Sequence, residues 1–304
     1  MKHHPFSKLR WVSLDVQPNQ LKFITAWQKK DKCIIEQAVT LNCPAGIFQE
    51  GLVKRFDVLS AFLAEQISHY GLNNLPAMIN LPAAIVRMEK LSLPAGLSVE
   101  AMEALICNYV QRDLPQRNEN LAIDFTEAGK MSDHLIEVSF AATRKDYITN
   151  MNDCITAAGL RLKVIDVDVH CLKRLLPIEK TISACLHISN QQATLMVCSE
   201  AEIIFHKQWT MTMPGNVIEQ LPQQLALCYA ALGVRVIRKW FICCEEKYQQ
   251  QIIEKKLFSE NELSNLQLST LFTLSPSVDE NFFSTRAADF AFACGAVKRM
   301  VTAW

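Results

Sequence analysis

Two stretches in separate halves of this chain are built to one plan, and that repetition limits the possible folds more than any other feature. Residues 10 to 41 contain three alternating runs, RWVSLDV, QLKFITAWQ and KCIIEQAVTL, separated by polar breaks. Such alternation predicts a β-meander. Residues 54 to 71, KRFDVLSAFLAEQISHYG, switch to helical spacing and end at Gly71, a helix stop. PAMINL then reads as a short buried strand. The second half begins the same way. ISACLHISNQQATLMVCSEAEIIFHKQW predicts a hairpin and a third strand, and VIEQLPQQLALCYAAL a helix with Pro222 in its first turn or at a kink. VIRKWFICC predicts a strand, YQQQIIEKKLF a helix, and a C-terminal helix spans about 286–302 after a polar stretch at 259–285.

Between the halves lies a segment of different texture. AAIVRMEKLSL predicts a strand ending at Pro94, Ser98 caps the helix VEAMEALICNYVQRDL before Pro115, and LAIDFTEAG with IEVSFAATR predicts a hairpin. Lys145 to Ala158 predicts a further helix, stopped by Gly159, and RLKVIDVDV a further strand. The order of elements predicts an α/β protein of the actin-like (ribonuclease H-like, duplicated) type. The first domain spans 1–165, with an inserted subdomain at about 82–165, and the second spans 166–304.

Composition removes several function classes. The 31 basic and 31 acidic residues cancel, so no field favours nucleic acid or anionic lipid, and neither DNA binding nor direct membrane insertion is expected. No apolar run reaches the ~18 residues of a membrane helix, and Asp15 interrupts the basic start before any secretion-signal core. The 11 cysteines are odd in number and mostly lie in apolar segments without a CxxC pair, which suits buried thiols in a reducing cytoplasm and no metal site. Glycine numbers only 9 of 304, against a usual ~7%, and close approach of backbone to phosphate normally needs glycine.

One segment carries a family resemblance. Pro82, Val86, Lys90, Leu91, Leu93, Pro94, Gly96, Leu97 and Ser98, followed by Leu114, Pro115, Asp124 and Phe125, and then AATRKDYI…AAGLRLKVIDVDVHCLKRLL at 141–176, resemble the type IV pilus assembly protein PilM family. That family is actin-like and related to the cell-division protein FtsA. The resemblance implies a cytoplasmic protein, peripheral to the inner membrane through a partner. Its inserted subdomain would border a groove for the cytoplasmic tail of a PilN-like inner-membrane protein. It also implies contacts with other pilus or competence assembly proteins and self-association.

The same resemblance locates three degenerate nucleotide elements. Actin-like ATPases hold nucleotide on two Asp-x-Gly hairpins and a Gly-Gly loop, where backbone N–H groups converge on the ligand. Here Asp15 survives, but Gln17 stands in the glycine place. In LHIS, His187 and Ser189 replace Asp and Gly, and in FICCEE, Cys243 and Cys244 replace Gly-Gly. ATP is therefore disfavoured as a cofactor. The expected partner-binding residues are Arg87, Met88, Lys90 and Leu91, on a strand whose faces divide into an apolar floor and a polar rim.

Other candidates have ordinary readings. His187 suits a metal ligand or base, but no acidic or cysteine partners cluster near it, and a hydrogen-bonded hairpin histidine is the plainer reading. Asp166 and Asp168 alternate on one strand and share a face, a pair suited to acid–base work or a metal; alternatively, Asp168 caps the helix VHCLKRLL. No GxSxG elbow is present. The expected function is a non-enzymatic scaffold. A working actin-like ATPase and a DNA-uptake factor are the alternatives.

Overall fold

The computed structural model describes residues 9–30, 32–112, 120–189, 192–200, 202–210, 217–255, 258 and 262–302. The predicted meander is present as β1 (Arg10–Gln17), β2 (Gln20–Lys29) and β3 (Lys32–Asn42). Between β1 and β2 the chain reverses through Pro18 and Asn19. Proline presets its own φ, and Asn19 takes φ 68°, the positive value asparagine tolerates in such turns. A small ribbon of β4 (Phe48–Gln49) and β5 (Leu52–Val53) precedes α1 (Phe56–His69). This helix buries Leu59, Leu63 and Ile67 at four-residue spacing. Gly71 at φ 64° follows it, and β6 (Pro76–Leu81) is buried at every residue.

Next come β7 (Arg87–Pro94), α2 (Val99–Gln111), β8 (Leu121–Lys130), β9 (Leu135–Arg144), α3 (Lys145–Ala157), β10 (Arg161–Val167) and α4 (Asp168–Leu175). Ser98 caps α2 as predicted, its Oγ accepting from the Ala101 N–H. The second half contains β11 (Ser183–Ser189), β12 (Gln192–Cys198), β13 (Ile203–Thr210), α5 (Leu221–Leu232), β14 (Lys239–Cys243) and α6 (Glu246–Glu254). Pro222 sits in the first turn of α5, where its missing N–H costs no helical bond. The chain closes with β15 (Glu262–Asn265), α7 (Leu268–Leu271), β16 (Thr273–Leu274), α8 (Glu280–Thr285) and α9 (Ala291–Thr302).

The duplication is explicit in the sheets. The first runs β10-β6-β1-β2-β3-β16 and the second β13-β12-β11-β14-β15. In each, an antiparallel meander is extended on its first strand by parallel strands, β6 then β10 and β14 then β15.

Three boundaries differ from expectation. The inserted unit is smaller than 82–165. It comprises the sheet β7-β9-β8 and α2, with its own core of Leu93, Met102, Ile106, Val110, Val138, Phe140 and Ala142. Helix α3 instead buries Met151, Cys154 and Ile155 in the core beneath α1, and β10 pairs with β6. The stretch 259–285 holds, among its described residues, two strands and two helices. Finally, the C-terminal segment does not stay with residues 166–304: β16 pairs with β3 of the first sheet, and α9 packs on α4 and the first sheet. The reason is composition. Ala291, Phe292, Ala293, Cys294, Ala296 and Val297 are all buried, and the first two turns of α9, apolar on every side, must be covered on every side. Leu114 and Pro115 lie outside the described residues.

Candidate functional site

The five residues expected at degenerate nucleotide positions do not line one cleft together. A cleft of about 520 Å³ opens between the halves, and Asp15 lines it with Gln17, Asn80, Asp168, Gln208 and Trp209. His187, Ser189, Cys243 and Cys244 are not among its lining residues. Cys243 and Cys244 lie in the cores on either side of the second sheet. Burial holds the Cys243 thiol far above its ordinary range and pushes Cys244 up to about 12, so both stay protonated and unreactive. His187 donates from Nε2 to the Ala288 carbonyl at 2.7 Å, and burial lowers its pKa to about 4. It is a neutral structural histidine, as its strand context suggested.

The centre of the site is a residue the sequence reading passed over. Lys22 stands opposite Asp15 in the β1–β2 pairing and has no exposed surface. Its Nζ donates to Gln17 Oε1 at 3.1 Å and to Ser189 Oγ at 2.8 Å, and faces Asp289 Oδ1 at 3.6 Å. Ser189 Oγ donates in turn to Asp289 Oδ1 at 2.5 Å, and Arg286 pairs with Asp289 Oδ2 at 2.6 Å. On the other side, Gln17 Nε2 donates to Asp15 Oδ2 at 2.9 Å and Asn80 Nδ2 to Asp15 Oδ1 at 3.1 Å. The Gln17 side chain therefore lies between Asp15 and an internal ammonium. Its only advance sign was a lysine inside LKFITAW, an otherwise apolar strand.

Asp166 and Asp168 separate. Asp166 accepts from Arg174 at 2.5 Å and from Arg299 at 3.4 Å. Asp168 faces the cleft. It is the first residue of α4 rather than its cap. Its Oδ1 accepts from the N–H groups of Val169 and Ala83, at 2.6 and 3.1 Å, and its Oδ2 accepts from Gln208. The shared face is lost because the strand ends at Val167 and the helix turns the next side chain away.

Burial raises the Asp15 pKa to about 6 against the opposing pull of Lys22, and raises Asp168 to about 7. Unfolded aspartates titrate near ~3.9. Between those values the folded state binds more protons than the unfolded one, so these groups favour folding at low pH, and that contribution is lost as pH rises through 6 to 7. Asp168→Asn keeps the acceptor oxygen and lets Gln208 turn its amide. The variant is expected to lose much of the decline in urea midpoint between pH 5 and pH 8, worth up to roughly 3 kcal/mol. Equal slopes in variant and wild type would refute this assignment.

A second concavity lies against the inserted sheet. In the strand pairing, Met88, Ala141 and Asp124 form one row and Lys90, Ser139 and Thr126 the next, on the same face. A hollow of about 440 Å³ borders the first row, with Ile148, Ile165, Arg174 and Arg299 opposite. Another of about 540 Å³ borders the second, with Lys173, Ile203, Ile204 and Arg235 opposite. His170 of α4 lines both. Lys90 spans from Glu137 at 2.9 Å to Glu202 at 2.6 Å, joining the inserted sheet to the second half.

The four β7 residues thus divide. Met88 and Lys90 face this groove. Arg87 turns to the α2 side, ion-paired with Glu89 at 2.8 Å and stacked over Tyr109, and Leu91 packs in the inserted core. The expected split into apolar floor and polar rim fails, because each face of β7 carries one apolar and one charged member of the set. The floor comes from Ala141, Ile148 and Ile165 instead.

The family model for type IV pilus assembly protein PilM matches residues 13–226. The chain belongs to the PilM family. Among solved structures, a PilM-PilN type IV pilus biogenesis complex aligns with a TM-score of 0.78 at 14% identity, covering 95% of this chain and 98% of that one. The cytoplasmic domain of EpsL, an inner-membrane component of the Vibrio cholerae type II secretion system, aligns at 0.53 with 10% identity, covering 95% and 94%. The ethanolamine utilization protein EutJ of Carboxydothermus hydrogenoformans aligns at 0.52 with 10% identity, covering 97% and 91%. These likenesses are of fold, and the fold is actin-like, as predicted. Among the described residues no helix is long and apolar enough to cross a membrane.

Proposed function

We propose that this PilM-family protein is a non-catalytic platform for type IV pilus assembly, which captures the N-terminal cytoplasmic tail of a PilN-like inner-membrane protein. The groove under the inserted sheet is the observation that carries this reading. It offers apolar floor positions at Ala141, Ile148 and Ile165, with charged groups at its edges, in particular Arg174, Arg299 and Lys90. An extended peptide docks in such a groove by apolar anchors, with rim charges setting its register. The neighbour with the TM-score of 0.78 is a complex with PilN, which supports this choice of partner. Capture by that tail would hold the protein in the cytoplasm against the inner membrane.

The cleft supports the absence of ATP chemistry. Gln17 and Lys22 occupy the space beside Asp15, and the β1–β2 turn at Pro18–Asn19 contains no glycine to present its backbone to a phosphate. Titration with Mg-ATP is expected to give no binding at micromolar concentrations. Micromolar affinity that disappears in Asp15→Ala would overturn the non-catalytic reading. The platform itself is tested by titrating a fluorescent N-terminal peptide of a PilN-like protein into the full chain. Saturable binding is expected, and its absence would remove the central support for the platform.

A further inference from the structure

We propose that Lys22 is an internal clamp whose ammonium does the work of a bound ligand, holding the two halves of the fold closed on each other. The inference rests on reading the cleft as one that carries no nucleotide. Lysine is almost never fully buried unless paired, and burying its charge costs several kcal/mol before any partner is counted. Lys22 tolerates that cost at one kind of place only, a joint where acceptors from separate elements converge. Gln17 belongs to its own hairpin, whereas Ser189 ends β11 of the second sheet, and Asp289 belongs to the C-terminal segment. The Ser189 hydroxyl is fully engaged, accepting from Lys22 and donating to Asp289. Asp289 is held in place by Arg286. The two hairpins that would flank a ligand are thereby tied through one ammonium, and its acceptors assemble only when the hairpins face each other. A buried pair of this kind fixes mutual orientation more than it adds net stability. The consequence is a closed two-domain body that needs no ligand to close it.

Hydrogen exchange on the full chain tests the clamp. Lys22→Met keeps the aliphatic stem and removes the donor; Arg286 still pairs with Asp289, and Asp15, whose pKa burial already raises, takes up a proton in place of its lost counter-charge. The expected result is amide exchange in β2 and β11 faster by about tenfold or more, with the inserted unit unchanged. Ser189→Ala breaks the same link more gently and is expected to shift the same amides in the same direction. Combined with Lys22→Met it should add little, because both remove one connection. Unchanged exchange in both variants, or effects that simply add, would overturn the clamp. If Lys22→Met does not fold, Ser189→Ala decides alone. The Mg-ATP titration of the wild type reports separately on the reading of the cleft, so the two failures are distinguishable.

Discussion

Replacing Gly295 with alanine is expected to destabilise the protein by ~4 kcal/mol or more, or to prevent folding. A Cβ built at Gly295 would lie 2.0 Å from the Cys171 carbonyl oxygen, 2.4 Å from its carbon and 2.7 Å from its Cα. Those atoms are backbone of α4 and cannot turn aside. Helix α9 would have to move bodily, yet its neighbours Cys294 and Ala296 are buried in the central core. The carbonyl of Gly295 also accepts from Arg174 at 3.1 Å, so displacement would disturb the group that holds Asp166 at the groove. The melting temperature should fall by about 10 °C. Gly129→Ala is the matched control: nothing lies within 4 Å of its Cβ position and its φ is ordinary. A Gly295→Ala protein as stable as that control would refute the packing argument.

The second large effect concerns binding. Ala141→Trp is expected to weaken the PilN-like peptide by at least ~100-fold, about 2.7 kcal/mol, by filling the groove floor where an anchor would sit. Ala141 is only partly buried and points from β9 into the hollow beside Ile148 and Ile165, so the larger ring has open space and the fold should persist. Arg87→Glu serves as the contrast. Arg87 faces α2, and its reversal should alter stability through Glu89 and Tyr109 while leaving peptide affinity within a few-fold. If Arg87→Glu abolishes binding and Ala141→Trp does not, the peptide site lies on the other face of the inserted sheet.

Much of this was legible without coordinates. The alternation in RWVSLDV and QLKFITAWQ, the Ser98 cap and the Gly71 and Gly159 stops are local signals, and each produced the element expected of it. The inserted unit was legible as an insertion but not in its extent. The spacing of α3 identifies a helix, while the choice between α2 and α1 as its neighbour depends on shape complementarity that periodicity does not encode. The β7 residues met the same limit. Alternation separates Arg87 and Leu91 from Met88 and Lys90, yet both sets mix charge with apolar bulk, so hydropathy alone did not identify the face turned to α2.

By itself, the sequence determined the duplicated order of strands and helices, the family, and the turn at Pro18–Asn19. Those outcomes depend on residues within one turn or one strand of each other, where backbone preference and side-chain period decide. Only the tertiary structure decided that the C-terminal helix crosses back to the first sheet, that Gly295 must lack a Cβ, and that Lys22 fills the joint between the halves. Lys22 and Ser189 are 167 residues apart. An ammonium becomes a buried clamp only when distant acceptors are folded around it, because the low-dielectric setting that gives the contact its strength is made by the fold itself.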